Sequence, residues 1–155
     1  MANVTFPDSD WDAFELTFSC PAGIRANSSV AAHNPTWRYR FFGVFPNINV
    51  SSEGGAYHGA ELQLLFGTTF STPSATAEEI KFEAYLRGAW TTFAKDPVNG
   101  LSTYAGGWPL YDPAEKSLIR LGYENGVGTN LAFPMQYDAA CVNSSLSALI
   151  TSIFG

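Results

Sequence analysis

The run Trp37-Arg38-Tyr39-Arg40-Phe41-Phe42-Gly43-Val44-Phe45 constrains the fold more than any other stretch. Aromatic and branched side chains suit the pleated, half-buried surface of a sheet. Arg38 and Arg40 alternate with Tyr39 and Phe41 at the period of a strand. Pro46-Asn47-Ile48-Asn49 closes the run, and a long loop rich in Ser, Gly and Asn follows. That loop ends in Gly54-Gly55-Ala56-Tyr57-His58-Gly59-Ala60-Glu61-Leu62, where an apolar helical run begins, Leu62-Gln63-Leu64-Leu65-Phe66-Gly67. Strand, glycine-flanked histidine, helix: this order puts a titrating side chain at the carboxyl end of a strand, where open α/β sheets bind ligands. The expectation is therefore an α/β fold.

The other elements follow in order. Trp11, Phe14 and Phe18 have helical spacing. Pro21 is placed to open a helix through Ala22, Ile24, Ala26, Val30 and Ala31, ending before Asn34-Pro35. Thr76-Ala77-Glu78-Glu79 reads as a capping box. Behind it, Ile80, Phe82, Tyr85, Leu86, Ala89, Trp90 and Phe93 form a wide apolar stripe. Residues from Val98 to Pro113 carry turn signals and read as a loop. Ser117 to Glu124 reads as a second strand closed by Asn125-Gly126. A last helix is expected over about Pro134 to Phe154, with Met135, Ala139, Val142, Leu146, Leu149, Ile150 and Ile153 inward. Two strands with four or five helices leave a sheet edge without cover. The expectation is one incomplete domain.

Composition excludes several functions. The 155 residues are 46% hydrophobic and 14% charged, enough apolar material for a core. A net charge of -6, with no basic cluster, argues against nucleic acid as a partner. No stretch reaches the roughly 20 apolar residues of a membrane span. Met1 to Asp8 lacks the basic and apolar regions of a signal peptide, so the true amino terminus is expected upstream of Met1. Four N-x-[ST] acceptors, at Asn3, Asn27, Asn49 and Asn143, point to secretion and glycosylation.

Few residues are equipped for chemistry. His58 is the candidate base, against the plainer reading of a helix-cap residue. His33, at a helix end before Asn34-Pro35, reads as structural. No Cys, His or carboxylate set has metal-ligand spacing, so no metal is expected. No phosphate-binding glycine loop occurs, and no cofactor is expected. No G-x-S-x-G elbow is present; Gly100-Leu101-Ser102-Thr103-Tyr104 fails at its last position. Phe70, Trp108 and Tyr111 are candidates for a pocket wall or for the core.

Several segments together resemble one family. Gly55-Ala56-Tyr57-His58-Gly59-Ala60-Glu61-Leu62 with Phe66-Gly67 is similar to the catalytic-histidine segment of the type-B carboxylesterases, the α/β-hydrolase family of cholinesterases and fungal lipases and esterases. Phe18-Ser19-Cys20-Pro21-Ala22 resembles the family's cysteine-proline helix start. Trp37 to Phe41 resembles the strand before the histidine. Trp90 to Pro97 resembles its W-x-x-F-A segment, and Trp108-Pro109-Leu110-Tyr111 its W-P-x-Y. Met135 to Cys141 resembles its last helix. The order of segments is kept over nearly the whole chain, residues 1–155, which resembles only the carboxyl-terminal part of a full member.

The resemblance implies a partial α/β-hydrolase fold in which His58 is the base of a serine triad. It also implies a disulfide between Cys20 and Cys141, and an extracellular location. Serine, oxyanion hole and acid lie upstream in the family and have no counterpart here. Glu61 is a weak substitute for the acid, since it starts the same helix and reads better as a structural hydrogen-bond group. The implied function is a serine esterase or lipase part, acting on small-molecule or lipid esters once joined to an upstream part of the same fold. The alternative is a catalytically inactive, cholinesterase-like binding module.

Overall fold

The computed structural model describes residues 8–49 and 55–142. The elements are α1 (Asp8–Ala31), β1 (Tyr39–Phe41), α2 (Ala60–Phe66), α3 (Ala77–Lys95), α4 (Gly100–Thr103), β2 (Leu118–Leu121), β3 (Leu131–Ala132) and α5 (Met135–Val142). The strands form one sheet in the order β1-β2-β3. β1 runs parallel to β2, with Tyr39 opposite Ile119 and Phe41 opposite Leu121, and β3 is antiparallel to β2. The class is α/β, as expected. β3 has only two residues, too few for any periodic signal.

Both faces of β1 are covered. On one face Tyr39 meets Trp90 and Phe41 meets Phe82, both from α3. On the other face Arg38 pairs with Asp138 and Phe42 meets Tyr137, both from α5. Arg38 is buried, while Tyr39 is the more exposed of the two.

β1 is also shorter than its sequence run. Its ladder extends by one bond at each end: Ile119 N–H donates to Arg38 O and Phe42 N–H to Leu121 O. It stops because the partner chain turns away at Gly122, which has φ +69° and lies so close to Gly43 that an added Cβ would sit 2.9 Å from its Cα. Only glycine tolerates both demands. Past this point the Asn125 side chain replaces a strand. Its Oδ1 accepts from Val44 N–H at 2.8 Å, and its Nδ2 donates to Val44 O at 2.9 Å.

Helix α1 departs from expectation at Pro21, which lies inside a continuous 24-residue helix instead of opening one. Proline removes one intrahelical bond there. The helix is fastened at the preceding residue, Cys20, by its disulfide to Cys141, with the two Cα atoms 5.4 Å apart. The inward face of α1 is made of small residues, Cys20, Gly23 and Ala26, while Ala22 and Ala31 are exposed. Its end is a Schellman motif, with Asn34 N–H bonded to Ser29 O and His33 N–H to Val30 O. His33 takes the left-handed position with φ 59°.

The Thr76–Glu79 capping box forms in both directions. Of the predicted stripe on α3, Phe82, Tyr85, Leu86 and Ala89 are buried, whereas Ile80 and Phe93 are exposed. The core packs these side chains against Phe41, Phe45, Ile48, Leu64, Ile119 and Leu121. The expected loop from Val98 contains α4 and a further single helical turn, and it buries Leu101 and Trp108. In α5 the inward residues are Tyr137, Asp138 and Cys141; Met135 and Ala139 are exposed, contrary to expectation. The inward face follows the partners offered, Arg38 and Cys20, over hydrophobicity alone. The proposed continuation to Phe154 lies outside the described residues.

Phe82→Ala is expected to lose about 3–5 kcal/mol of stability in chemical denaturation, from a fully buried ring. Ile80→Ala, two residues away and 57% exposed, should change it by no more than about 0.5 kcal/mol.

Candidate active site

His58 stands on a short connection that leads into α2. The preceding residue, Tyr57, turns inward. Its hydroxyl donates to Ile48 O at 2.9 Å and accepts from Gln63 Nε2 at 2.5 Å. The following residue, Gly59, caps α2 in the left-handed region with φ 80°, a conformation open to glycine at little cost. Between an anchored tyrosine and a sharp turn, the His58 side chain is exposed. Its ring lies against that of Phe18 in α1, with centroids 3.7 Å apart and an interplanar angle of 15°.

His58 and Phe18 line a cleft of about 740 Å³ together with Ala22, Tyr39, Arg40 and Glu61. The cleft takes every residue from Arg38 to Phe42, from both faces of the strand. It therefore follows the edge of β1 opposite β2. The ladder uses Arg38 O and Phe42 N–H toward β2, so by alternation the N–H and C=O groups of Tyr39 and Phe41 face the cleft. Among the described residues no strand pairs with that edge, so it forms a floor of the cleft, with a histidine in the wall.

Glu61 accepts a hydrogen bond from the Tyr39 hydroxyl at 3.3 Å. It ties α2 to β1, the structural use that its position at the helix start implies. Partial burial first, and then the charge and hydrogen bond of Glu61, hold the Tyr39 phenol above its ordinary range. Arg40 lies along the aromatic rings of Tyr137 and Phe42, 4.9 and 5.6 Å from the ring centroids.

Behind the cleft is a clasp. Arg38 makes two bonds to Asp138, of 2.5 and 2.7 Å, and a third to the Tyr111 hydroxyl at 3.2 Å. Burial works against the guanidinium charge, but the bond and charge of Asp138, aided by Tyr111, outweigh it and hold Arg38 protonated above its usual range. The Tyr111 hydroxyl donates onward to Asn27 Oδ1 at 2.9 Å. Gly23 leaves the space: a Cβ there would sit 3.1 Å from an Arg38 nitrogen and 3.3 Å from Asp138 Oδ2.

The remaining sequence candidates are dispersed. Trp108 is buried in the core, and its indole N–H donates to the Tyr85 hydroxyl at 2.7 Å. Tyr111 serves the clasp, and Phe70 is 56% exposed. Asn27 is exposed on α1 and Asn49 half-buried, while Asn3 and Asn143 lie outside the described residues. Among the described residues no group of three His, Cys, Asp or Glu side chains is placed to hold a metal. Among them, too, no helix is long and apolar enough to cross a membrane. Sequence reasoning missed Phe18 as a partner of His58 and Asp138 as a partner of Arg38. A buried arginine demands an acid, but no local pattern names one 100 residues away.

Comparison with known proteins places these features in context. The sequence profile of the carboxylesterase family matches residues 13–138. The chain is 32% identical over 118 residues to secreted lipase 5 of Gibberella zeae, covering 75% of this chain and 22% of that protein. It is 33% identical over 122 residues to a chlorogenic acid esterase of Aspergillus niger, covering 77% of this chain and 24% of that one. It thus spans about a quarter of the length of these relatives.

Asp138→Ala is expected to cost about 3–5 kcal/mol in thermal or urea denaturation, because it leaves a buried guanidinium uncompensated. A second expectation concerns alkaline pH. Folding favours the protonated Tyr39 phenol, so its contribution to stability is present below about pH 10 and is lost as pH rises beyond. In a spectrophotometric titration, Glu61→Gln should lower the Tyr39 midpoint, yet leave it above that of a free tyrosine because burial remains.

Proposed function

The chain belongs to the carboxylesterase family, and on that premise we propose that it supplies the general base, His58, to a serine ester hydrolase. One observation carries this reading: the imidazole is exposed in the wall of a cleft along an edge of β1 that no strand pairs with among the described residues. The serine, its oxyanion donors and the orienting acid belong to an upstream part of the same fold, which continues the sheet from β1. The sequence holds no G-x-S-x-G. Exposed Leu62 and Phe66 on α2, beside the histidine, are further surface for that part to cover.

The chemistry follows from an imidazole with a serine brought to it. A ring nitrogen of His58 takes the proton from the serine oxygen as that oxygen attacks the ester carbonyl. The imidazolium then gives the proton to the departing alkoxide, and an acyl-serine remains. Water attacks this ester with the same histidine as base, releasing the acid and restoring the serine. Substrates are proposed to be small-molecule or lipid esters, in keeping with a lipase and a chlorogenic acid esterase as relatives. The Cys20–Cys141 bond, the N-x-[ST] sites and the secreted relative support an extracellular location. A second reading, a catalytically silent interaction module, draws on the same open edge.

The test joins this chain to the remainder of the Gibberella zeae relative and measures hydrolysis of an activated acetate ester. His58→Ala is expected to lower kcat by about 10²–10⁴-fold. A joined protein with equal rates before and after the substitution would overturn the role of His58.

A further inference from the structure

We propose that Phe18 is a positioning residue for His58, and that its flat face fixes the plane in which the imidazole presents its nitrogens. The proposal rests on the reading of His58 as general base. An exposed histidine beside a glycine turn has two side-chain torsions to settle before it can take a proton along a fixed line. The stack at 3.7 Å and 15° restrains both, because it occupies one face of the ring. It does so without blocking the chemistry. The lone pair and the N–H of an imidazole lie in the ring plane, so a partner on the face does not compete with partners at the ring nitrogens.

Phe18 is in turn well placed to act as a fixed surface. It lies two residues before Cys20, which is 2% exposed and bonded to Cys141 in α5. One turn further on, Gly23 packs on the Arg38–Asp138 pair. The ring is therefore carried by a helix fastened across the sheet, and it reaches over the cleft to the histidine loop. It is 40% exposed, more than a residue kept for core packing requires. An aliphatic side chain of similar bulk would fill the same place without a flat face. This difference separates positioning from packing.

Two variants and two readouts test the idea. Phe18→Leu keeps the bulk and removes the flat face, while Phe18→Trp keeps a flat face. In proton NMR of the chain, the ring protons of His58 are expected upfield of those of His33, which is exposed at the end of α1. The difference should collapse in Phe18→Leu and persist in Phe18→Trp. In the joined hydrolase described above, Phe18→Leu should lower kcat about 10–100-fold with KM within about twofold, as expected when a reacting group loses its alignment. Phe18→Trp should recover most of the loss. Identical His58 shifts in parent and Phe18→Leu, or an unchanged kcat, would overturn the role of Phe18 even where His58→Ala abolishes activity. A rate that survives His58→Ala would instead overturn the general-base reading beneath it.

Discussion

The bidentate pair between Arg38 and Asp138 is the interaction on which the arrangement depends. It joins the start of β1 to α5, 100 residues later, where the small residues Cys20 and Gly23 bring α1 close. A guanidinium in that position is tolerable only with a carboxylate in good geometry. The demand therefore sets where α5 lies. With α5 in place, Cys141 comes beside Cys20, and the disulfide secures α1 across the same face. Gly23 lets α1 approach closely enough to close the clasp, and Tyr111 links it to Asn27. In the chain-entropy view, a crosslink over a separation of 121 residues contributes on the order of 4–5 kcal/mol. It acts where, among the described residues, β1 has neighbours on its faces and a paired strand on one edge.

This clasp has a consequence for the site. Everything on the α1 side of the cleft, Phe18 included, is set by bonds that originate behind the sheet. Everything on the opposite side, from Tyr57 to Glu61, is set by α2 and its tie to Tyr39. The two sides meet where the Phe18 and His58 rings touch. Between them runs the edge of β1 that no described strand pairs with, and edges of this kind take up further strands. The proposed placement of a serine follows from that geometry. A strand added to β1 brings its carboxyl end to the same level as the histidine loop, where α/β sheets gather their reactive groups.

Local signals were legible and distant ones were not. The capping box at Thr76, the end of α1 at His33 and the backbone turn through Asn125 each depend on residues within a few positions, and the sequence states them directly. The strand at Tyr39 was visible, but its length was not, because Gly122 and Gly43 end it by meeting in space. The width of the α3 stripe was overread. Ile80 and Phe93 have helical spacing but no partner layer that buries them. The inward face of α5 was misjudged for the converse reason, since a salt bridge and a disulfide outweigh a hydrophobic pattern there. At the site, the glycine-flanked His58 was evident from its setting. The Phe18 stack was not, because a phenylalanine at helical spacing looks the same whether it packs in a core or against an exposed histidine.

The proposed function requires that the open edge of β1 receive the serine-bearing part of the fold. Amide hydrogen exchange at Tyr39 and Phe41 reads this directly, in the isolated chain and in the chain joined to a serine-bearing part. Slow exchange at both amides in the joined, ester-cleaving protein, against fast exchange in the chain alone, is the predicted result. Equally fast exchange at both positions in a joined protein that hydrolyses esters would contradict the account, since the serine would then reach its substrate without continuing the sheet from β1.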